Sequence, residues 1–277
     1  MAEGRFSKLE STPSREPMKP PPGTIPRDSR PGDLAANAGS HAVPENEGGY
    51  AGFLLQADEA FYLGDYRTSL RHYSRALQLE NSQVYPWIGQ ISSLIELKQY
   101  KEAELWSNRA LEQFPEDGSL LSQRGRVLAL TGNLKRAIGV SDYATQKGGT
   151  EWSWLARGEI LLEANDSNAL FCFEKAAEIA GKEDWRIPAL AARAYMRRRQ
   201  WANAEQFLLR AIQLNGHNFF IWFQLAQVLL ELNFTDRCRD ALSRVMQLKP
   251  DFRPARELEM RLYRRPFFKR VMGVFKR

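Results

Sequence analysis

The side chains most capable of chemistry are few and scattered along the 277 residues. The three histidines are His41, His72 and His217, and none has a second ligand type at helical spacing. Cys172 and Cys238 lie too far apart in sequence for a local metal-ligand pair and read as small core fillers. Glu159 and Glu163 stand four apart on one helix face, the spacing of a paired carboxylate site, but also that of an ordinary acidic pair facing solvent or a partner. Phosphate-binding glycine loops, zinc-protease motifs, paired cysteines and nucleophile elbows are absent from the sequence. Asn233-Phe234-Thr235 matches a glycosylation sequon, with no secretory signal pattern at the start of the chain to give it meaning. These residues predict a non-enzyme that needs neither metal nor cofactor.

The elements that would position any site are periodic. One small side chain recurs at Ser69, Ala103, Ala137, Ala169, Ala204 and Cys238, with spacings of 34, 34, 32, 35 and 34 residues. Seven residues further on, Ala76, Ala110, Ala144, Ala176, Ala211 and Val245 repeat the series. Seven residues are two helical turns, so both positions share a face where small side chains let a neighbouring helix approach. Upstream in each unit a large residue (Phe53, Trp87, Leu121, Trp154, Trp222) precedes a small one by four in most units, as at Ala57, Gly125, Gly158 and Ala226. Turn chemistry separates the two halves, as in Leu63-Gly64-Asp65 and Thr131-Gly132-Asn133, and Pro115 and Pro250 end units. Helix-turn-helix units are therefore predicted at about 50–83, 84–117, 118–149, 150–184, 185–218 and 219–251. A further helix over 252–265, with Ala255, Leu258 and Leu262 on one face, would cover the apolar surface left at the open end.

This large-small, Ala-x6-Ala, terminal-Pro pattern over 34 residues resembles the tetratricopeptide repeat across about residues 50–251. Departures include Gly89 out of register, a short fourth unit, and Pro188 where unit 5 should carry a large residue. The resemblance implies an all-α, right-handed superhelical solenoid of about six repeats whose first helices line a concave groove for a protein or peptide partner. Taking the groove-facing positions of each unit selects Tyr85, Ile88, Arg126, Trp152, Leu155, Glu159, Arg193, Arg197, Phe220, Phe223 and Gln227. Aromatic anchors and arginine forks are the composition of a protein interface. The carboxylate clamp of chaperone-adaptor relatives is missing: Leu54, Asp58, Gly89, Ser119 and Gln123 stand at its positions.

The net charge of +6 is not spread along the chain. Residues 1–48 carry 6 basic and 7 acidic side chains, 49–251 carry 24 of each, and 252–277 carry 9 against 2. A neutral repeat body argues against nucleic acid as its partner. Residues 1–48 hold 8 of the 14 prolines and few large apolar residues, which predicts a disordered leader, with Phe6 and Leu9 as the one fragment suited to docking. The tail, 266–277, sets Phe267, Phe268 and Phe275 on one helical face opposite cations such as Lys269 and Arg270. Packing on the last helix or on a partner, contact with an anionic membrane surface, and contact with nucleic acid all remain open for it. The expectation is a cytoplasmic scaffold or adaptor; the alternative is a membrane-peripheral assembly factor recruited through this tail.

Overall fold

The structure, a computed structural model, describes residues 49–264. The predicted leader and the tail residues Phe267, Phe268, Lys269, Arg270 and Phe275 lie outside the described residues. Among the described residues there are thirteen α-helices and no strand. They form six antiparallel pairs: α1 (Tyr50–Tyr62) with α2 (Tyr66–Leu79), α3 (Val84–Glu96) with α4 (Tyr100–Gln113), α5 (Gly118–Leu130) with α6 (Leu134–Gly148), α7 (Glu151–Glu163) with α8 (Ala169–Ala180), α9 (Arg186–Arg197) with α10 (Trp201–Leu214), and α11 (Phe219–Glu231) with α12 (Thr235–Leu248). A last helix, α13 (Arg253–Arg264), follows and buries Ala255, Leu258 and Leu262. The chain is thus an all-α helical-repeat solenoid.

Each pair is joined by the same turn. One residue with positive φ sits at Gly64, Lys98, Gly132, Asn165, Arg199 and Asn233, positions 34, 34, 33, 34 and 34 residues apart. The amide after it donates to a carbonyl five residues back: Asp65 to Ala60, Gln99 to Leu94, Asn133 to Leu128, Asp166 to Leu161, Gln200 to Tyr195 and Phe234 to Leu229. This is the left-handed C-terminal cap that satisfies orphan carbonyls and reverses the chain. Glycine and asparagine adopt it readily, whereas Lys98 and Arg199 carry a steric cost there.

The small-residue series explains the stacking. Ala103, Ala110, Ala137, Ala144, Ala176, Ala204 and Ala211 are fully buried, so second helices press closely against their neighbours. Gly158 is required by that closeness: a Cβ there would lie 2.6 Å from Cε1 of the buried Phe173. Gly89, out of register in the sequence, leaves room for the Tyr73 ring across its face, and the position expected to be small holds the fully buried Ile91. Pro188 is the third residue of α9, within the first turn, where no intrahelical N–H is lost.

Candidate functional site

The first helices α3, α5, α7, α9 and α11 carry all eleven residues selected from the sequence as groove-facing. Their surroundings divide them into two groups. Tyr85 is 38% exposed, and Ile88, Trp152 and Gln227 are half-buried. Arg126, Leu155, Glu159, Arg193 and Phe223 are buried, and Arg197 and Phe220 are half-buried among other parts of the same chain.

The charged members of the second group engage one another. Arg126 donates through Nε to Glu159 Oε2 at 3.1 Å, and through an outer nitrogen to Gln123 Oε1 at 2.8 Å and Ser92 Oγ at 3.3 Å. Arg197, one unit beyond Glu159, pairs with the same Glu159 oxygen, and with Glu96 of α3 at 3.3 Å. Burial alone would lower the Arg197 pKa, but the carboxylates of Glu159, Glu96 and Glu163 outweigh it and hold the guanidinium firmly charged. Units 2, 3, 4 and 5 thereby share one ionic network in which each charge faces an opposite charge or a polar group. Gln123, Ser92 and Glu96 were not among the eleven groove-facing residues selected from the sequence. The usable signal was their place on the same inner face as Arg126, three or four positions or one repeat away.

Arg193 is held differently. Its guanidinium carbon lies 5.4 Å from the ring centre of Phe61, 5.6 Å from Tyr66 and 5.5 Å from Phe220. Three aromatic faces thus surround one cation. Burial, partly opposed by the Arg193 charge, pushes the Tyr66 phenol up to about 12, so it stays neutral. Phe223, also expected in the groove, packs at 5.1 Å against Phe252, the residue just before α13.

Three of the first group, Tyr85, Ile88 and Trp152, border an opening between the units. A cavity of about 40 Å³ lies among α1, α2, α3, α5, α7 and α9, with Tyr85, Ile88, Trp152, Leu155 and Arg126 in its wall. That volume holds a few waters or one small side chain. At its edge Tyr73 and Tyr85 both donate to the Asp58 carboxylate, Tyr85 from 2.7 and 2.8 Å to its two oxygens. Burial and the adjacent carboxylate push both phenols well up, so they remain donors. The cavity brings Tyr85, Ile88, Trp152, Leu155 and Arg126 together; Glu159, Arg193, Arg197, Phe220, Phe223 and Gln227 are not in its wall. Among the described residues no cluster of metal-ligating side chains occurs, and no helix is long and apolar enough to cross a membrane.

Residues 162–245, within units 4 to 6, match the family described as "Anaphase-promoting complex, cyclosome, subunit 3". Comparison with curated proteins finds no match. Among solved structures, YrrB, described as a TPR protein with an unusual peptide-binding site, is 14% identical over 68% of this chain and 97% of its own (TM-score 0.41). TTC0263, a thermophilic TPR protein of Thermus thermophilus, is 16% identical over 66% and 100% (TM-score 0.49). The Cut9-Hcn1 hetero-tetramer of the APC/C is 15% identical over 77% of this chain and 42% of the matched chain (TM-score 0.48). On its own repeat spacing, shared turn geometry and helix pairing, the chain is a helical-repeat solenoid of tetratricopeptide type.

Proposed function

We propose that the protein is a non-catalytic scaffold that binds a partner polypeptide on its concave face, anchoring one partner side chain in the cavity bordered by Tyr85, Ile88 and Trp152. The observation that carries this reading is that cavity. It is the place on the inner helices where aromatic side chains remain partly accessible beside a shaped recess, while the charged groups around it are already neutralised. Accessible aromatics at a recess act as binding anchors because they bury large area at low conformational cost. Tyr85 and Trp152 approach the recess from units 2 and 4, so a bound segment would run across the inner helices of several units.

The test is affinity purification with the full chain and with Trp152→Ala and Tyr85→Phe. Trp152→Ala should lose specific partners by about 30-fold or more, as expected for removal of an anchor, at unchanged helicity. Tyr85→Phe retains the ring and should keep most binding. An unaltered partner set for folded Trp152→Ala would refute the site.

A further inference from the structure

Consecutive units of a solenoid are held by neighbour contacts alone. Here a contact of another kind occurs. The turn between α1 and α2 in unit 1 docks on α9 and α11 of units 5 and 6. Tyr62 stacks edge-on against Trp185 at 5.0 Å, and its carbonyl accepts a hydrogen bond from Asn218 Nδ2 at 3.3 Å, 156 residues away in sequence. The tip of the Phe220 ring abuts Gly64: a Cβ at that glycine would come within 2.8 Å of Phe220 Cε1. Phe61 and Tyr66 flank the turn and close on Arg193.

We infer that unit 1 is a latch: the α1–α2 turn fills the α9–α11 end of the concave face, and a partner gains that end only when the latch is released. The inference rests on the concave-face reading above. Three observations make the contact separable. It joins units that are not neighbours, so its loss leaves the stacking of successive pairs intact. Arg193 is 5% exposed, yet its Nε and one outer nitrogen meet no acceptor in the protein, so the docked state keeps a desolvated cation held by ring faces in place of hydrogen bonds. Finally, the hydrogen bond between Asn218 and Tyr62 is long, at 3.3 Å, and uncharged.

The experiment measures the distance between spin labels at Arg71→Cys on α2 and Ser243→Cys on α12, both exposed positions, in the full chain without any partner. Cys172 and Cys238 are buried and stay unlabelled. Otherwise unmodified protein should give a narrow distribution. Gly64→Trp should lengthen and broaden it, because any side chain there meets Phe220. Lys98→Trp is the control: it places the same side chain at the same positive-φ turn position of unit 2, and should leave the distance unchanged. Phe220→Ala, which removes the ring without a clash, should also broaden the distribution. If Gly64→Trp loses helicity, Phe220→Ala decides alone. Unchanged distances in folded Phe220→Ala, or equal lengthening by Lys98→Trp, would overturn the latch. Loss of partners by Trp152→Ala at an unchanged distance bears on the scaffold reading and not on this one.

Discussion

Replacing Glu159 by Gln tests whether the interior of the solenoid is held by its ionic network. Glu159 is 5% exposed and its Oε2 receives both Arg126 and Arg197. Removing one partner of a buried pair costs about 3–5 kcal/mol, since the remaining charge is stranded in a poorly solvated site. Here the loss falls at the lower end. The amide oxygen can still accept one N–H, Arg126 retains Gln123 and Ser92, and Arg197 retains Glu96 and is 24% exposed. About 3 kcal/mol in a body of this size corresponds to a fall in Tm of roughly 6–12 °C. The comparison is Glu174→Gln, which breaks a surface pair with Arg210 at 2.9 Å whose side chains are 54% and 40% exposed. That substitution should cost under about 1 kcal/mol. Thermal unfolding followed by circular dichroism measures both. A Glu159→Gln shift no larger than that of Glu174→Gln would refute the claim that this carboxylate neutralises two arginines.

Two of the helical glycines, Gly158 and Gly139, should respond with opposite signs. Gly158→Ala drives a methyl into Phe173, which is wedged against Tyr195 and Phe207, and should destabilise by about 1–2 kcal/mol net. Gly139, on α6, has nothing within 4 Å of its added Cβ, so Gly139→Ala should stabilise by up to about 1 kcal/mol; equal signs in urea titrations would contradict the packing. Lys98→Gly and Arg199→Gly relieve left-handed backbone conformation at two inter-helix turns and should each raise stability by about 0.5–1 kcal/mol, with a fall in Tm refuting the turn geometry. His72 is held below its ordinary 6.5 by burial first and by Arg71 and Arg75 second. The unfolded chain therefore takes up that proton first, and stability falls as pH drops through about 6.5. Between about pH 7.5 and about pH 5.5 the Tm should fall further for the unmodified protein than for His72→Gln, and equal falls would refute the assignment.

Close helix packing demands small side chains at fixed intervals, and alanine marks most of those positions, with Ser69, Cys238 and Val245 at the others. All eleven selected residues lie on first helices. What each does there was not legible in the sequence. An arginine facing a partner and one facing its own chain obey the same local spacing, and Arg126, Arg193 and Arg197 are engaged internally. Telling them apart requires knowing which units meet across the concave face. That follows from small rotations accumulated over six units, which no single window of sequence encodes. Pro188 stands where unit 5 should carry a large residue, and its place in the first turn of α9 follows from where that helix begins.

The docking of Gly64 and Tyr62 onto Phe220, Trp185 and Asn218 also changes how the protein comes apart. In a linear array of neighbours the outermost unit frays first and independently of the opposite end. Once unit 1 also touches units 5 and 6, the chain of contacts becomes a cycle, and loosening at one terminus removes support from the other. Hydrogen exchange in α1 should then report on the integrity of α11, although 156 residues separate Tyr62 from Asn218.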